Sequence, residues 1–339
     1  MSSSSSCESK SKSKSSSSSC SRSKSSSRHE KRKKCNPKSK RLVKCEIESY
    51  CEASRAFRDT IDQILTALAS SAQPAPIPIE VDTSLAAIAV AVRPSFLALA
   101  DALINVCCAL RKRPCSLTPA CQDLLNCILT SIIAFLTSFT SLSAILLQGL
   151  NVPSTLPGNL ALAQTELEQM SIAIRSLPTK KHPKSKRVTK AINCAFRALI
   201  VAVIETISAG IFPPGVQVNT VVDIQGSALL QSFVRDLRTL EPIMFRSGRC
   251  CKQSPQLACL LSRISQLLPL IAIAILINTG NVGQYVVLAA QSDSLAVLAS
   301  CIPLDPCLKL CERDLGALLD VITALRTFLL SAMERTSNT

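Results

Sequence analysis

The chain has 339 residues, 47% hydrophobic but only 3% aromatic, with no Trp, nine Gly, two His, 17 Cys and a formal net charge of +15. So few Gly argue against the Gly-rich turns of many β-sandwiches and against phosphate-cradling loops, and two His leave little for metal or acid–base chemistry. The charge is unevenly placed: residues 1–41 hold 13 Lys/Arg and two Glu, a net +11, while the remaining 298 hold 25 Lys/Arg and 21 Asp/Glu, a net +4.

Residues 1–41 include 19 Ser and end in RHEKRKKCNPKSKR. They show no apolar periodicity, so burial cannot offset the entropy of ordering them, and a disordered basic tail is expected. The opening MSSSSSCESK lacks an apolar stretch of the secretory-signal kind, which predicts synthesis in the cytoplasm without such a signal.

The body reads as helices. Phe57, Ile61, Ile64, Leu65 and Leu68 form one stripe of a first helix, ended by Pro74, Pro76 and Pro78. A second apolar segment spans about 83–110, with a bend or break expected at Pro94. A third begins near Pro119 and runs to about residue 150. A fourth, about 158–177, places Leu167, Met170, Ile174 and Leu177 on one face, and the basic linker PTKKHPKSKRVTK follows. Two later stretches, VQVNTVVDI and QYVVLAA, have some strand character, although the first reads better as a loop entering a helix.

The pattern then recurs. PKSKR stands at 37–41 and at 183–187, and Ala56-Phe57-Arg58 returns as Ala195-Phe196-Arg197, followed by Ile200, Val203, Ile204 and Ile207. Arg113, Cys115, Pro119, Leu124, Leu125 and Ile128 return in order as Arg249, Cys251, Pro255, Leu260, Leu261 and Ile264. Ordered matches at nearly constant spacing indicate an internal duplication. The expected fold is therefore all-α, with two tandem duplicated helical bundles of about four helices each. The boundaries read as tail 1–41, first repeat 42–178, linker 179–186, second repeat 187–334 and a disordered end at 335–339. The last helix, about 308–333, is matched to the fourth.

Residues 124–165 and 264–292 contain no charged side chain. Such helices are buried in a bundle, against another subunit, or in lipid. Repeated Ser and Thr, and the absence of flanking Trp or Tyr, favour the bundle; a multi-pass membrane protein is the alternative.

No CxxC occurs and no Cys/His pair has zinc spacing, so no metal site is expected. Several cysteines lie six residues apart (45/51, 115/121/127, 301/307), which on a helix turns them to different faces; they must pair with other helices or other chains, or serve as small buried side chains. Cys7, Cys20 and Cys35 lie in a hydrophilic tail where core packing cannot explain them, and they are the candidates for intermolecular disulfides. His29 and His182 have no evident fixed partner. Glu46, Glu48, Glu52, Asp59 and Asp62 read as a solvated face. No catalytic constellation and no cofactor site is seen. Arg28, Lys31, Arg32, Lys33, Lys34, Lys38, Lys40 and Arg41 are the candidate phosphate contacts if the tail binds nucleic acid, a binding that would be non-specific and salt-dependent.

In composition the body resembles the cysteine-rich, Leu/Ala/Ser-rich helical structural proteins of bacterial spore outer layers, the coat and exosporium. That resemblance implies a non-enzymatic protein that self-assembles, with copies of itself or with other coat proteins, into a coat or shell with cysteine cross-links. The alternatives are a nucleic-acid-packaging protein of a virion or of chromatin, and the membrane protein already named.

Overall fold

The structure is a computed structural model that describes residues 37–70, 84–114, 117–146, 154–180, 186–215, 224–240, 255–301 and 316–337. Among these residues there are nine helices and no strand: α1 (Pro37–Ser70), α2 (Ser84–Lys112), α3 (Pro119–Leu146), α4 (Leu156–Ser176), α5 (Arg187–Ile211), α6 (Ile224–Arg238), α7 (Pro255–Thr279), α8 (Val282–Ser300) and α9 (Gly316–Ser337). The chain is all-α.

On α1, buried positions recur at alternating spacings of four and three: Val43, Ile47, Tyr50, Ser54, Phe57, Ile61, Ile64 and Leu68. On α4, Leu160, Ala163, Leu167, Met170 and Ile174 continue the same spacing from Leu156. Stripes of this period can pack along one another, and α1 packs along α4. The other flank of α1 packs on α2. That seam is antiparallel, with Glu48 paired to Arg111, Arg58 Nε to Asp101 at 2.9 Å, and Asp62 to Arg93 at 2.7 Å. The acidic face of the first helix is thus partly engaged by arginines of α2.

The core does not stop between the halves of the sequence. α2 packs along α5 and α3 along α8, and one apolar cluster runs from α1 to α9. α5 and α8 lie innermost, with 72% and 67% of their most apolar stretches buried, against 39% for α3 and 28% for α9. In the first half α4 packs on α1 and α3. In the second half it is α8 that packs on α5 and α7, while α9 packs on α6 and α7. The second half contributes five described helices.

Several expectations are corrected. α2 runs through Pro94 without a break. A proline inside a helix strips the carbonyl four residues earlier of its partner; here that residue is Val90, 61% exposed, whose carbonyl water can satisfy. Pro269 lies inside α7 in the same way and frees the carbonyl of Ser265, to which the buried Ser292 hydroxyl of α8 donates at 2.7 Å. QYVVLAA is not a strand but part of α8, because its inner position buries it on several sides and helix ladders satisfy its backbone. VQVNT at 216–220 lies outside the described residues. α3 ends at Leu146, and α9 extends to Ser337. α1 takes in residues 37–41, assigned above to the tail: Pro is well suited to a first helical position, and the lysines and arginine that follow are good helix formers.

Candidate functional site

The chemistry worth locating is that of the thiols. Cys51 of α1 is bonded to Cys107 of α2, with Cα atoms 5.2 Å apart, and Cys127 of α3 to Cys301, just past α8, with Cα atoms 5.8 Å apart. Both separations suit a disulfide, and both bridges join different helices, as the six-residue spacings require. Cys108, Cys121, Cys194 and Cys259 are disulfide-bonded as well. Among the described residues Cys45, exposed on α1, is a free thiol. Most of the described cysteines thus have a sulfur partner, and Cys51, Cys107, Cys121, Cys127 and Cys259 are buried as well.

The two bridges sit on seams of different character. At α1–α2, Cys51 and Cys107 are fully buried beside Tyr50, whose hydroxyl donates to the Leu103 carbonyl at 3.2 Å and whose ionisation is pushed far up by burial. The ion pairs named above line the outside of this seam, 29–56% exposed in their side chains. At α3–α8 the Ser131 hydroxyl donates to the Ser294 carbonyl at 3.0 Å and lies 2.9 Å from the Ser294 hydroxyl, both residues being buried. No charged side chain follows Asp123 on α3, and Asp293 alone carries charge on α8.

Glutamines tie helix ends into this frame. Gln122, on the first turn of α3, donates through Nε2 to the carbonyls of Ile174, Arg175 and Leu177 at the end of α4, the first at 2.7 Å. Gln284, on the first turn of α8, donates to Gly210 and Ile211 at the end of α5, at 2.8 and 3.3 Å. These are the unsatisfied terminal carbonyls that every helix leaves. A Cβ at Gly210 would stand 2.8 Å from the Leu288 side-chain end, so a larger residue there would make Leu288 shift.

One carboxyl lies in the core. Glu166 of α4 is 5% exposed; its Oε1 accepts the Thr60 hydroxyl at 3.0 Å and its Oε2 is buried with no hydrogen-bond partner. Burial pushes this carboxyl above the ordinary range, the Thr60 hydroxyl holds it down in part, and Asp59 adds to the rise. An apolar cavity of about 40 Å³ lies among Ile61, Leu85, Phe96, Phe135, Leu160 and Val287. It has room for little more than one or two water-sized groups, and its polar lining group, the Thr206 hydroxyl, already donates to the Ala202 carbonyl.

Of the residues singled out in the sequence, Cys7, Cys20, Cys35, Arg28, Lys31, Arg32, Lys33 and Lys34 lie outside the described residues, as do His29, His182, Cys115 and Cys251. Lys38, Lys40 and Arg41 fall in the first two turns of α1. The pairings Cys51–Cys107 and Cys127–Cys301 were not foreseen. Their separations of 56 and 174 residues leave no local signal in the sequence. Among the described residues no three His, Cys, Asp or Glu side chains gather as a metal-binding group.

Six helices (α2, α3, α5, α7, α8 and α9) are long and apolar enough to cross a membrane by length and composition. No family model, no curated protein and no solved structure matches the chain.

Proposed function

We propose that the chain is a non-enzymatic structural protein that assembles, with copies of itself or with other coat proteins, into a coat or shell and is cross-linked through cysteines. The observation that carries this reading is the outer face of α3 beyond Asp123 and of α7 beyond Arg263, which carries no charged side chain. On α3, Ile133, Phe135 and Leu142 are half-buried and Thr137 and Ser141 exposed; on α7, Leu270, Ile273 and Leu276 are half-buried and Ile277 is 62% exposed. A broad uncharged face of this kind is what another subunit covers. The oxidised cysteines support it, because they suit a final compartment in which further disulfides persist. The compositional resemblance to spore outer-layer proteins agrees with both.

Sedimentation of the full-length protein, with a non-reducing gel alongside, tests this. The expected result is an assembly larger than a monomer, part of it covalent and dispersed by reductant. A monomer with and without reductant overturns the reading.

A second reading has its own observation: the same apolar faces on helices of spanning length suit lipid. Against it stand Arg93 and Asp101, both exposed and ion-paired within the apolar length of α2. Retention in the membrane pellet after carbonate extraction would decide for lipid, and release would decide for assembly in water.

A further inference from the structure

The two assigned bridges differ in how an outside thiol meets them. Cys51 and Cys107 are both 0% exposed, and no nucleophile reaches either sulfur without opening the α1–α2 seam. Cys127 is also buried, at 5%, but its partner Cys301 is exposed, on the first residue past α8. Thiol–disulfide exchange requires the attacking thiolate to approach one sulfur from the side opposite the other. Cys301 is the exposed member of this bridge and Cys127 the buried one, so an outside thiolate meets Cys301 first and displaces the buried sulfur.

We propose that Cys127–Cys301 is the receiving site for covalent attachment of a second copy, a thiolate of that copy bonding to Cys301 and releasing Cys127. This deepens the assembly reading and rests on it. In the exchange the sulfur–sulfur bond to Cys127 breaks as the new bond to Cys301 forms. The electron pair of the broken bond stays on Cys127, which takes up a proton from solvent. One disulfide is consumed and one is made, so no oxidant is needed. The freed thiol has a place to go: Cys127 Sγ lies 3.8 Å from the Leu298 carbonyl, within reach of an S–H donor. An attacking thiol is present as well, since Cys45 is free and exposed on α1. Cross-linking by this route proceeds by isomerisation of an existing bridge and leaves the α1–α2 clamp intact.

Reduced glutathione in small amounts is the probe for the site. Oxidised full-length protein is exposed to it briefly, quenched with a maleimide under denaturing conditions and mapped by mass. Glutathione is expected on Cys301 and maleimide on Cys127, at least about tenfold above either label at Cys51 or Cys107. Glutathione on Cys127, or equal labelling of the two bridges, overturns the proposal. A second arm mixes copies of ordinary and heavy nitrogen and allows them to assemble. Disulfide peptides of mixed isotope containing Cys301 are expected, and they should vanish in the Cys127→Ser/Cys301→Ser variant, whose helicity is checked by circular dichroism. Mixed-isotope links at other cysteines alone would overturn this site and leave the assembly reading standing. Glutathione on Cys301 with no assembly at any concentration would overturn the assembly reading, and with it the second copy as the attacking partner.

Discussion

The α1–α2 and α3–α8 seams solve one problem in two ways. Each brings together two long antiparallel helices, and each is closed by one disulfide. Around Cys51–Cys107 the outer edge carries Glu48–Arg111, Arg58–Asp101 and Asp62–Arg93. Around Cys127–Cys301 the polar contact is the neutral pair Ser131–Ser294, and α3 carries no charge beyond Asp123. Half-exposed ion pairs are stable where water solvates their free edges, and a surface built without them is one that water does not have to wet. The difference sets an edge lined with ion pairs at α1–α2 against uncharged stretches of α3 beyond Asp123 and α7 beyond Arg263, which are the stretches the assembly reading uses.

The largest test of the comparison removes the bridges. Replacing both cysteines of a pair by Ala should lower the unfolding free energy by roughly 2–4 kcal/mol for either bridge. Cys127–Cys301 should cost about 1 kcal/mol more than Cys51–Cys107, because it closes a sequence separation of 174 rather than 56 and loop entropy grows with the logarithm of that length. Denaturant titration of the two variants without reductant checks this, and equal losses would show that loop length does not set the difference between the seams.

A smaller effect belongs to the buried carboxyl between α1 and α4. Glu166 is held above the ordinary carboxylate range, mainly by burial. At low pH it is protonated in both folded and unfolded chains and costs nothing. As pH rises through the unfolded value the unfolded chain ionises first, so stability falls until the folded carboxyl ionises too, and then stays level. Glu166→Gln removes that step. The variant should therefore gain on the wild type as pH rises through the ordinary carboxylate range, read as the divergence of two stability–pH curves. Parallel curves would place Glu166 in contact with water.

Much of this arrangement is legible in the sequence, and the reasons for what is not are local. The stripe from Phe57 to Leu68 and its counterpart from Ile200 to Ile207 are buried, because helical periodicity reports which face must leave water. The neighbours of those helices are not encoded in periodicity: nothing in α8 announces that it, rather than α9, packs against α5. Pro94 reads as a bend or break, since the sequence shows the lost hydrogen bond but not its replacement, which solvent can supply at the exposed Val90; at Pro269 the Ser292 hydroxyl supplies it to the Ser265 carbonyl. The cysteines show the same limit. Spacing excludes partners within one helix, but choosing Cys301 for Cys127 requires knowing that α3 lies along α8.

The smallest effect sharpens the comparison most, because it separates stability from placement. Arg93→Ala, which leaves Asp62 unpaired at a side-chain exposure of 36%, should cost only about 0.2–1 kcal/mol, since water already screens the pair. Arg93→Asp should cost more, because it sets a like charge against Asp62, and roughly 0.5–1 M salt should bring the two variants together as screening shortens to a few ångströms. Thermal melts at low and high salt measure both. If Arg93→Ala instead cost several kcal/mol independently of salt, the α1–α2 edge would be a buried ionic site rather than a wetted one. With the small value, the ion pairs contribute little to holding α1 on α2, which the disulfide and the buried stripe already do. Their effect is to disfavour burial of this edge; the assembly reading then has a second copy cover α3 beyond Asp123 and α7 beyond Arg263, where there is no charge to desolvate.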